Sequence, residues 1–192
     1  MRTSALMTAV LFGLAACGGS EPAQTGGEAP AESAPAEAPA SSALTVPSWM
    51  TVDEAGMTVT LEIAAGQTAD NNYWNFNGYY GGAGEIVVPA GYTVTINFQN
   101  NDPGMAHSLG VDSRTSGFPS MFTDPVPAFE GAITSNPTSL TEATMPGESE
   151  TITFVASEAG SYSLICYIPA HALTGMYVPF TVSADGEAGF RG

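Results

Sequence analysis

The sequence predicts an all-β domain, a β-sandwich with Greek-key connections. Several short segments alternate apolar and polar residues with the two-residue period of a half-buried strand. Gly, Pro and Asn separate these segments, and no long stretch has the periodicity of a helix. Many short strands joined by such turns are typical of two sheets packed face to face.

The strands can be placed in order along the chain. Residues 57–63 and 92–98 alternate most clearly, with Met, Val, Leu and Ile at the odd positions of the first and Tyr, Val, Ile and Phe at the even positions of the second. Further strands are expected at residues 85–88, 107–111, 150–155, 161–166 and 176–182. Residues 113–148 contain five prolines and no sustained period. We expect this long segment either to pack irregularly on the flank of the sandwich, or to cover part of a functional site or present a docking surface.

The N-terminus has the pattern of an export signal. Arg2 precedes an apolar run that ends in small residues before Cys17, and the run is too short to span a bilayer. Residues 14–17 (Leu-Ala-Ala-Cys) resemble a bacterial lipobox, so we expect residues 1–16 to be a lipoprotein signal peptide and Cys17 to be acylated. An ordinary secretory signal is the alternative.

A linker and one domain follow the signal. Residues 17–43 begin with the lipidated Cys17 and are rich in Pro, Ala and Glu without an aromatic residue, so they are expected to be a disordered tether. Residues 44–192 are long enough for one domain with a sizeable core. Gly18 after Cys17 does not match an inner-membrane retention signal. We therefore expect the domain on the periplasmic side of the cell envelope, anchored in the outer membrane rather than the inner one.

The charge balance excludes some partners. The sequence has 19 acidic and 3 basic residues, and only Arg114 and Arg191 are basic after the signal. Nucleic acid and acidic lipid surfaces are therefore not expected as partners. A basic redox protein fits this charge, although acidity also serves solubility.

Four side chains form the chemical signature of the domain. Cys166, His171 and Met176 follow one another at five-residue intervals, and His107 is the only other histidine. Two imidazoles and one thiolate with a weak axial thioether hold a single copper ion in blue-copper electron-transfer sites. We expect Cys166 at the end of one strand, His171 in the following loop and Met176 at the start of the next strand, with His107 reaching the site from elsewhere.

These residues also have other possible roles. Each could be ordinary core or a hydrogen-bonded surface residue, and Met105 or Met145 could supply the axial thioether instead of Met176. A copper oxidase or nitrite reductase would need further histidines, and a dinuclear copper site would need a second cysteine in the domain. A hydrolytic Cys–His pair lacks an evident orienting residue.

These motifs resemble the cupredoxin family, and within it the sulfocyanin group and the related rusticyanin-like proteins. The similarity covers roughly residues 73–182, and the Cys-x4-His-x4-Met spacing is specific within cupredoxins. It is carried by Phe76-Asn77-Gly78 with Gly81-Gly82, by residues 86–91 (Ile-Val-Val-Pro-Ala-Gly), by residues 93–96 (Thr-Val-Thr-Ile), by His107 and by residues 166–176.

The resemblance implies an eight-stranded or similar sandwich that binds one type 1 copper and carries electrons in a respiratory chain. Ser108 stands where Asn is more usual and resembles the rusticyanin choice. On this view Asn71, Asn72, Asn75 and Asn77 would form turns and support the site from behind, or simply build a loop.

The sequence therefore predicts a monomeric electron carrier and not an enzyme. We expect the edge of His171 to be the exposed exit for electrons, and cytochromes or a terminal oxidase to be the redox partners. The apolar docking rim would consist of Pro169, Ala170, Ala172 and Leu173. Two alternatives remain open: a periplasmic lipoprotein that stores or delivers copper, and a structural lipoprotein without metal.

Overall fold

The computed structural model describes residues 43–192 and confirms the predicted all-β sandwich. The predicted signal peptide (1–16), the predicted lipidation site Cys17 and nearly all of the predicted linker (17–43) lie outside the described residues. The strands, in chain order, are β1 (Met50–Asp53), β2 (Thr58–Ala65), β3 (Glu85–Pro89), β4 (Thr93–Asn100), β5 (Gly110–Asp112), β6 (Ser149–Val155), β7 (Gly160–Ile165), β8 (Tyr177–Ser183) and β9 (Gly189–Arg191).

The strands form two sheets. One sheet has the order β1-β2-β4-β6 and the other has the order β5-β7-β8-β3-β9. The pairs β2/β4 and β3/β8 are parallel, and the remaining neighbours are antiparallel. The chain passes from one sheet to the other at each connection between β2 and β7. These crossings are the Greek-key connections of the sandwich.

The core lies between the sheets and follows the alternation seen in the sequence. Val59, Leu61 and Ile63 of β2 are at most 2% exposed, while Glu62 between them faces solvent. The same alternation buries Val94, Ile96 and Phe98 of β4 against side chains of the opposite sheet. Burying one such side chain contributes roughly 1.5–3 kcal/mol, so this pattern fixes which face of each sheet points inward.

The seven predicted strands are all present, with one shifted start. The segment predicted at residues 107–111 begins as a strand only at Gly110, because His107 makes an isolated bridge to Thr144 and not a continuous ladder. The short edge strands β1 and β9 were not predicted. Met57 is a turn residue with φ 51° and is not a strand residue.

The irregular segment 113–148 packs on the flank of the second sheet and also contacts the loop after β7. Phe118 packs on Tyr177 and Phe122 on Tyr167, each with ring centroids 4.8 Å apart. The carbonyl of Ser120 accepts a 2.8 Å hydrogen bond from the N–H of Ala170. The two expectations for this segment are therefore compatible, since it covers both the flank and one side of the loop after β7.

Within residues 43–192, no helix has the length and apolar character that crossing a bilayer requires. The helical content of this part of the chain is a 3-10 turn at Asp70–Tyr73.

Candidate metal centre

Three of the predicted ligands meet at one end of the sandwich. The donor atoms of His107, Cys166 and His171 all lie within 4.8 Å of one another, and the three residues are at most 1% exposed. The Sγ atom of Cys166 is 3.9 Å from Nδ1 of His107 and 3.5 Å from Nδ1 of His171. In the described part of the chain this is the one cluster of its kind.

The loop at residues 166–176, called the ligand loop below, joins two neighbouring strands. Ile165 of β7 pairs with Tyr177 of β8, so Cys166 and Met176 face each other at the end of the ladder, where the N–H of Cys166 donates to the carbonyl of Met176 (3.2 Å). The N–H of Met176 donates to the carbonyl of His171 (2.8 Å). These backbone bonds tie three sequence-predicted residues into one turn.

Further hydrogen bonds hold the ligand loop closed. The hydroxyl of Thr174 donates to the carbonyls of Ala170 (2.8 Å) and His171 (3.2 Å). Ala170 has φ 70°, a left-handed conformation that is uncommon for a residue with a Cβ. Such conformations persist where the surrounding contacts determine them and are frequent at functional sites.

His107 enters the site from a turn after β4. Its Nε2 lies 2.8 Å from Oδ2 of Asp102, and both side chains are buried. The other oxygen of Asp102 accepts the N–H groups of Gly104 (2.8 Å) and Met105 (3.1 Å). A proton on Nε2 shared with this carboxylate leaves the Nδ1 lone pair pointing at Cys166, which is the tautomer that a metal requires.

A close backbone approach supports this carboxylate. Gly66 has φ +66°, and a Cβ added there would lie 2.7 Å from the backbone nitrogen of Asp102. Only glycine fits this position without displacing the turn that carries Asp102.

Ser108 surrounds the cysteine sulfur with donors. Its N–H lies 3.4 Å and its hydroxyl 3.7 Å from Sγ of Cys166. The same hydroxyl accepts the N–H of Tyr167 at 2.9 Å, which orients its own proton toward the sulfur. Ser108, which stands where related sequences more usually have Asn, therefore contacts the sulfur of the site directly.

Burial keeps the metal-free donors neutral. Desolvation raises the pKa of the Cys166 thiol to about 11, and the hydrogen bonds from Ser108 and Ile168 offset only part of this. Desolvation, together with the charge of His107, lowers the pKa of His171 to about 3. Burial also lowers the pKa of His107, although Asp102 opposes the effect. Both imidazoles therefore offer a free lone pair at neutral pH, and the thiol must lose a proton when a metal binds.

The distances match a trigonal metal site. For bonds of about 2.0–2.1 Å to nitrogen and about 2.3 Å to sulfur, three donors around one ion lie roughly 3.7 Å from each other. The observed Sγ to Nδ1 distances of 3.9 and 3.5 Å bracket this value. The two sulfur–nitrogen distances therefore fit a trigonal site.

The structure ranks the candidates for an axial thioether by burial. Met176 is fully buried beside Cys166 and His171, whereas Met105 is 36% exposed and Met145 is half-buried. The axial role of Met176 stays a prediction.

Trp74 is a contact residue that the sequence reasoning missed. Its indole stacks on the ring of His171, with centroids 4.0 Å apart and planes inclined by 19°. His171 is 1% exposed, so the expectation of an exposed imidazole edge is wrong. The sequence signal near Trp74 is the Asn-rich stretch before it. That stretch predicts a tight turn, but it does not predict that the turn places Trp74 against His171.

Comparison with known proteins identifies the family. The model of the sulfocyanin (SoxE) domain matches residues 46–190. The chain belongs to the sulfocyanin family. Sulfocyanin from Sulfolobus acidocaldarius is 31% identical to it over 135 residues, which are 68% of this chain and 66% of that relative, just under two thirds of its length.

Solved structures of related size are also similar. Auracyanin from Roseiflexus castenholzii is 29% identical, with a TM-score of 0.45, over 65% of this chain and 96% of that one. Rusticyanin from Thiobacillus ferrooxidans is 20% identical, with a TM-score of 0.41, over 70% of this chain and 86% of that one.

The site of this sulfocyanin-family chain is a type 1 copper site. Two imidazoles and one thiolate, converging without other charged donors, are the ligand set that selects this kind of copper centre. The predicted cofactor is confirmed, and the chain is a blue copper protein.

Proposed function

We propose that this chain is a mobile one-electron carrier, tethered to a membrane, that serves a respiratory chain. The observation that carries the proposal is the convergence of the buried donor groups of His107, Cys166 and His171. A copper ion held there supplies a Cu(II)/Cu(I) couple. With two histidines in the whole sequence, both used at this site, a second catalytic copper of the oxidase type has no imidazole ligands.

The protein frame contributes rigidity. Asp102 fixes the ring of His107, Trp74 covers the ring of His171, and the hydrogen bonds of the ligand loop hold Cys166 against Met176. Donors that cannot relax far keep nearly the same positions in both oxidation states. Less rearrangement means a lower barrier to electron transfer, which suits a carrier.

Burial favours a carrier over a protein that stores or delivers copper. A delivery protein passes its ion to a partner, and an exchange of ligands needs at least one donor that the partner can reach. All three donors are at most 1% exposed, and Trp74 covers the outermost one. This site is built to retain its ion.

The tether and the partners are parts of the same proposal. Acylation of Cys17 would anchor the chain on the periplasmic side, in the outer membrane rather than the inner one, and a linker at residues 17–43 would let the domain reach its neighbours. The net charge of −16 favours a partner with a basic face, such as a cytochrome or a terminal oxidase. We propose a monomer, because weak redox encounters need only small interfaces.

Spectroscopy on the full chain tests the proposal. The oxidised, copper-loaded protein should show the strong visible absorption and the narrow copper hyperfine splitting in electron paramagnetic resonance that a copper–thiolate bond produces. The variant Cys166→Ser should bind copper without either signature. Folded protein that stays colourless after loading with Cu(II) would refute the proposal. Rapid loss of copper to a modest chelator would favour delivery instead.

A further inference from the structure

The imidazole that was expected to face solvent lies beneath another ring. His171 is 1% exposed, and the half-buried Trp74 stacks on it with a centroid distance of 4.0 Å. Trp74 belongs to the loop between β2 and β3 and not to the ligand loop. The outermost aromatic group in contact with the metal site is therefore an indole.

Local structure holds Trp74 in this place. Asn71, Asn72 and Tyr73 have φ angles of 49°, 58° and 64°, a run of left-handed residues that is unfavourable for side chains with a Cβ. The side chain of Asn71 donates to the carbonyl of Trp74 (2.8 Å), and the N–H of Trp74 donates to the carbonyl of Asn71 (3.0 Å). The turn is therefore strained and specifically bonded, and it places Trp74 against His171.

The indole N–H of Trp74 donates to no other described residue. Among the described residues, Nε1 of Trp74 is one of two buried side-chain atoms without a hydrogen-bond partner. A buried indole usually finds an acceptor for this N–H. Stacking on His171 is the specific contact that the structure shows for this ring.

The two loops that meet at Trp74 have few charges. The N–H of Gly81 donates to the carbonyl of Gly175 (2.7 Å) and joins the loop of Trp74 to the ligand loop. Neither residues 71–84 nor residues 166–176 contain a charged side chain, in a chain of net charge −16. Tyr80 and Leu173, one from each loop, are 39% and 55% exposed. An electron partner that approaches these two loops meets mainly uncharged side chains, with Asp70 at their edge.

We propose that Trp74 is the port through which electrons enter and leave the metal site. The inference rests on the proposed function, since it assumes a copper couple bound by His171. Electron tunnelling weakens steeply with the width of the gap between donor and acceptor, and the indole bridges the gap between the surface and the buried imidazole. No proton moves and no bond forms in this step.

Electron self-exchange between two copies of the chain isolates the role of Trp74. One copy, reduced, loses one electron, and the other, oxidised, gains it, so the reaction has no net driving force and a change in reduction potential does not alter its balance. High salt screens the repulsion between the acidic copies. Line broadening of the reduced protein's proton resonances by added oxidised protein measures the rate.

The variants are Trp74→Leu, Trp74→Phe and the control Trp49→Phe, whose ring packs on Phe190 instead. Trp74→Leu should keep the blue absorption but exchange electrons about tenfold more slowly, within the one to three decades over which variants of one interface change association rates. Trp74→Phe should restore most of the rate, and Trp49→Phe should match the unmodified chain. If Trp74→Leu does not fold, Trp74→Met fills the volume without a π system.

A second measurement, on the metal-free protein, verifies the contact. The ring of Trp74 should shift the proton resonances of His171 to high field, and this shift should vanish in Trp74→Leu. If the shift vanishes in Trp74→Leu while self-exchange stays as fast or becomes faster, Trp74 only covers His171 and the proposed role in electron transfer is overturned. If the unmodified chain shows no blue absorption at all, the proposed function fails instead.

Discussion

The carboxylate of Asp102 lies 2.8 Å from Nε2 of His107, on the side of the ring opposite Cys166. Both residues are buried, and the side chain of Asn100 accepts the N–H of Asp102 at 2.9 Å. The arrangement is a carboxylate–histidine–metal relay in which the outer carboxylate orients the ligand and raises its basicity. Its five-residue spacing is set by the turn after β4.

Replacement of Asp102 should therefore weaken the site without touching a ligand. We expect Asp102→Asn to lower the affinity for Cu(II) by about 10–100-fold, the usual effect of removing such a partner. The reduction potential should rise, because a nearby negative charge favours Cu(II) over Cu(I). Competition with a chelator measures the affinity, and spectroelectrochemistry measures the potential. The exposed Asp185 provides the control Asp185→Asn, which should change neither.

The metal site could be predicted from the sequence because Cys166, His171 and the predicted axial Met176 share one short loop. The Cys-x4-His-x4-Met spacing is local, and the strands that flank it have a clear two-residue period. Asp102 and Trp74 could not be predicted in the same way. Their roles depend on where a turn after β4 and a loop after β2 meet the ligand loop, and no periodicity encodes such a meeting.

Among the strands too, those with a local sequence pattern could be predicted and those formed through tertiary pairing could not. β2 and β4 were predicted because eight residues suffice for the alternation to be visible. β1 and β9 have four and three residues, too few for a pattern, and they form through pairing with β2 and β3. His107 was predicted to begin a strand, but its backbone makes only an isolated bridge to Thr144.

The hydroxyl of Ser108 should tune the reduction potential. Hydrogen bonds to the sulfur of Cys166 stabilise negative charge, and this charge is larger when the copper is reduced. Ser108→Ala should therefore lower the potential, whereas Ser108→Thr, which keeps the hydroxyl, should change it less. The loss also leaves the N–H of Tyr167 without its acceptor, at a cost of about 1–3 kcal/mol in the free energy of unfolding. A potential that rises or stays constant in Ser108→Ala would contradict this account.

The metal-free protein should become less stable in mild acid. Burial lowers the pKa of His171 to about 3 from the value of 6.5 that we expect in the unfolded chain. Between these values the unfolded state binds a proton that the folded state does not, so stability is full above pH 6.5 and falls as the pH drops toward 3. The slope from this one group is at most about 1.4 kcal/mol per pH unit.

Denaturant unfolding at several pH values measures this effect. His171→Gln removes the titrating group, so its stability should depend less on pH over the same interval. His107 also has a lowered pKa and should leave a residual slope in the variant. A metal-free protein whose stability is constant between pH 6.5 and 4 would show that His171 is not held neutral by burial.

The two cysteines should have separable roles: Cys17 in anchoring the chain to the membrane and Cys166 in the visible absorption of the copper site. If Cys17 carries the lipid, Cys17→Ser should move the protein from the membrane fraction to the soluble fraction, because its anchor is lost while the domain is unchanged. Its visible absorption after copper loading should equal that of the unmodified chain. Cys166→Ser should give the reverse result and remain in the membrane fraction without the blue band. Since the sequence has only these two cysteines, each variant is the control for the other.

Mass spectrometry of the N-terminal peptide would contradict the tether if Cys17 is found without an acyl group or inside an uncleaved signal.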